Sequence, residues 1–173
     1  MWKLGSKSKR VYNSGIVREM QLIIDEACHV CPIEFTLDSG LRKTQEQFEL
    51  FQIGRKHDPN LGSISNPDAW VLIPKGQPGF GKVTNCDGIK YKSNHQSGKA
   101  IDLHAYIKGR PDLAYDRIHM GVIIGSFLTI AAMMYERREI RYKLRSGADW
   151  DGDTEYLEPG TFIDLPHLEL YEP

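Results

Sequence analysis

Residues 118–134, IHMGVIIGSFLTIAAMM, form a run of 17 residues without Asp, Glu, Lys or Arg. Such a stretch must be kept from water, by lipid or by other parts of its own chain. Seventeen residues is at the lower limit for crossing a bilayer, and His119, Ser126 and Thr129 within the run are unfavourable in hydrocarbon. Gly121 and Gly125 make a G-x-x-x-G, which promotes helix pairing in lipid and in water only permits close packing. The run therefore predicts a long buried helix within 111–136, and the rest of the chain has to supply the surface that buries it.

Strands are the natural partner. AIDLHAY, residues 100–106, alternates: Ile101, Leu103 and Ala105 on one side, Asp102, His104 and Tyr106 on the other. IEFTL (33–37), EIRYKL (139–144) and HLELY (167–171) read as further strands. In GIVREMQLIIDEACHV, 15–30, apolar groups at 16, 20, 23, 24 and 27 predict a helix with Ser14 as its N-cap. TQEQFELFQIGR, 44–55, predicts a second helix, with Thr44 and Gln47 as a capping box and Phe48, Leu50 and Phe51 as an apolar face. From 57 to 94, Gly and Pro break every pattern, as expected of a functional or mobile loop; GADWDGDTEYLEPG, 147–160, reads as a polar loop. Helices and strands mix without a β-α-β rhythm, so the fold class is α+β, and 173 residues fit one domain, 1–173.

A net charge of -1 excludes a global field for nucleic acid or anionic lipid, and the basic run ERREIRYKLR (136–145) reads as a solvated face. Cys28 and Cys31 have zinc or redox spacing but lack a second ligand pair; they read as buried thiols in a chain made in a reducing compartment. MWKLGSKSKRVYNSG has no apolar h-region, so no secretory signal is expected, and the expectation is cytoplasmic synthesis.

The chemistry gathers around SNHQSGKAIDLHAY, residues 93–106. Asp102 lies on the polar face of a strand, His95 in the loop before it, and Gly98 lets that loop fold back sharply. A catalytic zinc takes three protein ligands and keeps a fourth position for water. His95 and Asp102 can supply two, and His167 in DLPHLEL is the candidate for the third. Asp164, three residues earlier, is a candidate base for proton transfer, and Arg42 in SGLRKTQEQ for charge stabilisation at a carbonyl oxygen. Each piece also has a structural reading: a histidine followed by an aspartate occurs as a plain turn and strand. His104 shares the strand face of Asp102 and can support the metal from behind.

Together the pieces resemble the zinc D-alanyl-D-alanine carboxypeptidase and L-alanyl-D-glutamate peptidase family, and within it the phage endolysins. Ser93, His95, Gly98, Ala100 and Asp102 match S-x-H-x-x-G-x-A-x-D; Asp164, His167, Glu169 and Leu170 match D-x-x-H-x-E/Q-L. SGLRKTQEQ approximates a third pattern that places Arg42 and Gln47, with Lys43 where a small residue is usual. Gly54 with Arg55, and Asp149 with Trp150, follow the family order. The segment 57–80 reads as longer than the family's usual connection and leaves substrate detail open.

The resemblance implies an antiparallel sheet flanked by helices, with zinc on the sheet's open face. It implies His95, Asp102 and His167 as ligands, Asp164 as base and Arg42 at the scissile carbonyl, with Gln47, Ser93, His104 and Trp150 around substrate or metal. The implied activity is hydrolysis of peptidoglycan stem peptides, with the L-alanyl-D-glutamate bond favoured. The alternatives are a D-alanyl-D-alanine carboxypeptidase or dipeptidase, and a non-catalytic zinc-containing binding module like the hedgehog relatives. A monomer with no nucleic-acid partner and no stable membrane insertion is expected, reaching the wall after a holin-type membrane lesion.

Overall fold

The computed structural model describes residues 2–156 and 163–173; of the polar loop expected at 147–160, residues 157–160 lie outside the described residues. The chain divides into two compact units, Met1–Leu41 with Ser97–Pro173, and Arg42–Gln96.

The first unit is built on a four-stranded sheet in the order β1-β4-β6-β5, where β1 is Phe35–Ser39, β4 Ala100–Ala105, β5 Lys143–Gly147 and β6 Asp164–Tyr171. Every pairing is antiparallel. One face is covered by helices α2 (Arg18–Val30) and α4 (Arg117–Glu136), so the expected α+β sheet flanked by helices is present. Ile101 and Leu103 of β4 and Leu168 and Leu170 of β6 are fully buried on that face, as the alternation of AIDLHAY requires. A short helix, α1 (Ser6–Tyr12), contacts β1, where the Ser8 hydroxyl accepts from the Leu37 N–H at 3.0 Å.

The apolar run becomes α4. Asp116 caps it, accepting from the N–H groups of Ile118 and His119 at 3.1 Å each. Met120, Ile123, Ile124, Phe127, Ile130 and Ala131 enter the core. Burial is one-sided: Ile118, Val122 and Met133 are exposed, and by length and composition the helix could also cross a membrane. Phe127 meets Phe35 edge-on at 5.0 Å, and Phe35 meets Trp2 at 4.5 Å.

Ile16 and the apolar positions of α2 are buried as their spacing predicts, but the helix starts at Arg18, with Val17 as N-cap. Ser14 instead donates to the Val11 carbonyl and accepts from the Leu41 N–H, a turn-to-turn tie that outcompetes the cap. Cys28 and Cys31 are free, buried thiols, and burial first, then Asp25 and Cys31, pushes the Cys28 thiol up to about 11. IEFTL and EIRYKL each shift towards the C-terminus, to 35–39 and 143–147, because strand boundaries follow pairing register more than local apolar content.

The second unit holds α3 (Thr44–Gln52) and a hairpin of β2 (Arg55–His57) with β3 (Trp70–Leu72). The N-cap of α3 is Lys43, whose N–H donates to the Glu46 carboxylate at 2.7 Å, so the expected pairing of Thr44 with Gln47 does not form. Gln47 is fully buried and donates to the Cys86 carbonyl at 2.8 Å. Phe48 packs against Phe51 and Trp70. In the Gly- and Pro-rich segment, Asp58 and Asn66 cap single 3₁₀ turns that open with Pro59 and Pro67.

Candidate metal centre

The face of β4 and β6 opposite the core carries the polar side chains. Antiparallel register places Asp102 directly across from His167. His167 Nδ1 lies 3.1 Å from Asp102 Oδ1, and Nε2 lies 3.0 Å from Glu169 Oε2. On β5, Arg145 stands opposite Glu169 and donates from Nε to Oε1 at 2.7 Å. The Trp150 ring lies 5.2 Å from the His167 ring, and the Arg145 guanidinium 5.6 Å from the Trp150 ring.

Electrostatics here favour a cation. Burial alone would lower the pKa of His167, but hydrogen bonds and charge from Asp102 and Glu169 outweigh it and raise it to about 9. The site therefore takes up positive charge, as a proton on the ring or as a metal ion beside it.

His95 is 2% exposed in the turn Asn94–Ser97. Its N–H donates to the Ser93 hydroxyl at 3.3 Å, and its carbonyl accepts from the Arg42 N–H at 3.1 Å. Gly98 has φ +70°, and a Cβ there would lie 2.5 Å from the Gly15 carbonyl oxygen, so the sharp return before β4 needs glycine. Asp102 and His167 each offer one ligand atom on the sheet face of the first unit, and His95, in the second unit, offers an imidazole nitrogen. Two imidazole nitrogens and one carboxylate oxygen fit the donor set of a three-ligand zinc site.

Asp164 opens β6. Register slips between Ser146 and Gly147, which pair with Leu168 and Asp164, so residues 165–167 bulge and strict alternation between Asp164 and His167 is lost. The Asp164 Cβ and the edge of the Trp150 ring each come within 3.0 Å of where a Gly147 Cβ would stand. Gly147 thus leaves the room in which Asp164 approaches Trp150, the same ring that covers His167. Sequence reasoning did not single out Gly147, Arg145 or a partner for Glu169, because each depends on cross-strand pairing.

Arg42 donates from Nη1 to Gln47 Oε1 at 2.8 Å, so the two residues named by one motif form one contact. His104 pairs through Nδ1 with Asp38 and lies 5.5 Å from the Tyr115 ring. The carboxylates of half-buried Asp149 and exposed Asp151 and Asp153 gather within 4.8 Å, with Asp149 accepting from the Gly152 N–H at 2.8 Å.

A family profile described as phage L-alanyl-D-glutamate peptidase matches residues 81–171. The L-alanyl-D-glutamate peptidase of Escherichia phage T5 is 24% identical over 172 residues, covering 98% of each chain. Among solved structures, the L-Ala D-Glu endopeptidase ChiX of Serratia marcescens superposes with a TM-score of 0.59 at 18% identity, over 96% of this chain and 87% of that one. That likeness is one of fold.

Proposed function

The chain belongs to the phage L-alanyl-D-glutamate peptidase family, and from that premise we propose that it is a zinc endopeptidase cutting the L-alanyl-D-glutamate bond of peptidoglycan stem peptides. The observation that carries the reading is Asp102 Oδ1 facing His167 Nδ1 at 3.1 Å on the open face of the sheet, with the His95 imidazole as the remaining donor. In this reading those three residues hold zinc and residues 1–173 act as one catalytic domain. When bound, zinc supplies a Lewis acid and lowers the pKa of a coordinated water to about 7.

The chain's own groups do the rest. Asp164 takes a proton during attack and delivers it to the leaving amine. Arg42 donates to the carbonyl oxygen as negative charge builds there, and Gln47 orients its guanidinium. Ser93 holds the His95 turn, Trp150 shields His167 from water, and His104 lines the same strand face as Asp102.

The protein acts on the cell wall as a phage-type lysin; it is made in the host cytoplasm, works as a monomer without nucleic acid or stable membrane insertion, and reaches its substrate through a holin-type lesion. Digestion of purified peptidoglycan with mass analysis of the fragments tests the bond. New N-terminal glutamate is expected; release of free alanine instead would identify a carboxypeptidase, and no release by zinc-loaded protein would leave a binding module.

A further inference from the structure

We infer that Glu169 is a positioning residue that fixes the tautomer of His167, and that Arg145 fixes Glu169. The inference rests on the zinc reading above. A neutral imidazole has one N–H and one lone pair, and a metal ligand must aim the lone pair at the metal. The two nitrogens of His167 face different carboxylates: Nδ1 meets Asp102 at 3.1 Å and Nε2 meets Glu169 at 3.0 Å. Asp102 belongs to the group of ligand atoms, so the metal side of the ring is Nδ1. A carboxylate is an acceptor only, so Glu169 requires the proton to sit on Nε2. Nδ1 is then left with a lone pair opposite an Asp102 oxygen, an arrangement that a cation between them relieves.

Glu169 is held so that only one of its oxygens serves the ring. Its Oε1 takes Nε of Arg145 at 2.7 Å and Nη2 at 2.5 Å, which leaves Oε2 aimed at His167. The two residues are direct cross-strand partners, and Glu169 is 5% exposed, so water competes little for the contact. Arg145 is braced in turn by Trp150: its Nη1 donates to the Trp150 carbonyl at 3.4 Å. A carboxylate behind a metal-binding histidine sets the ring's orientation and basicity, and its loss typically costs roughly 10–100-fold in metal affinity.

The geometry makes a discriminating test. In Glu169→Gln the amide oxygen turns to Arg145 and the amide N–H₂ faces His167 Nε2, which favours the wrong tautomer. Removing the arginine as well, in Arg145→Met/Glu169→Gln, frees the amide to flip and present its oxygen to Nε2–H. Zinc affinity by chelator competition is expected to fall roughly 10–100-fold in Glu169→Gln and in Glu169→Ala, and to recover in part in the double variant. In zinc-loaded wild-type protein, ¹⁵N chemical shifts of the His167 ring are expected to show the proton on Nε2. A proton on Nδ1 in that spectrum would overturn the inference without any variant, as would Glu169→Gln and Glu169→Ala each binding zinc within twofold of wild type. Wild-type protein that binds no stoichiometric zinc would instead overturn the function proposed above.

Discussion

Replacing Gly98 with alanine should loosen the turn between His95 and Asp102, two of the three candidate ligands, without touching either of them. Gly98 has φ +70°, a conformation that costs an alanine roughly 1–2 kcal/mol. The added Cβ would lie 2.5 Å from the Gly15 carbonyl oxygen and 3.1 Å from the Ile16 Cα. Both are backbone atoms, so neither rotates out of the way, and the bond from the Val17 N–H to the Gly98 carbonyl, now 3.0 Å, must lengthen. Weakening that bond adds about 1 kcal/mol, for a total of about 2–3 kcal/mol, or a Tm lower by roughly 4–12 °C for a chain of this size. The control is Gly121→Ala on the exposed side of α4, where a Cβ meets nothing within 4 Å and alanine should stabilise by up to about 1 kcal/mol. Urea and thermal unfolding of both variants, with zinc affinity measured alongside, check the reasoning. A Gly98→Ala protein within about 0.5 kcal/mol of wild type, or one that moves in the same direction as Gly121→Ala, would refute it.

Stripped of metal, the protein should lose stability as pH rises. The His167 pKa is raised to about 9 from an ordinary 6.5, so the linked stabilisation, on the order of 3 kcal/mol, is complete below pH 6.5 and gone once pH passes through about 9. Thermal melts with chelator at pH 6 and pH 9 measure it; a flat or rising Tm, or the same fall in His167→Gln, would contradict the assignment. With zinc present the trend should reverse, because the metal displaces the ring proton. Asp164→Asn should abolish wall lysis while elemental analysis still finds bound zinc, and unchanged lysis would remove Asp164 from the proton path. Phe127→Ala, at a fully buried side chain in edge contact with Phe35, should destabilise by about 3–5 kcal/mol in denaturant unfolding.

What could be read from residues alone divides along a physical line. The segment that became α4 and the alternation around Asp102 were legible because burial imposes a period on the chain, 3.6 in a helix and 2 in a strand. The turn before Asp102 was legible because Gly98 marks a backbone conformation that other residues avoid. Helix α1 was not, since SKSKRVY shows no apolar period and its contact with β1 includes the Ser8 hydroxyl on the Leu37 N–H, a tertiary bond. Strands β2 and β3, of three residues each, are too short to display alternation. Ser14 and Thr44 look like caps but sit next to competing partners, Leu41 for the one and Gln96 for the other.

The same line runs through the candidate site. Its candidate ligands stand at positions that strand period and a glycine turn mark, so His95, Asp102 and His167 are legible without knowledge of the pairing. What supports His167 depends instead on register: Arg145 is 22 residues away from His167 in sequence and meets Glu169 only because β5 pairs with β6 in one alignment. A slip of one residue would turn Arg145 to the core face and leave Glu169 buried without its cation, a state costing several kcal/mol. The ion pair therefore penalises wrong alignments of β5 on β6, the strand that on its other edge carries His167 across from Asp102 of β4. On this argument Arg145→Met should broaden the backbone NMR signals of β5 and β6 even in zinc-free protein, while β1 and β4 residues 103–105 stay sharp. Uniformly sharp signals in all four strands would mean that core packing alone selects the register.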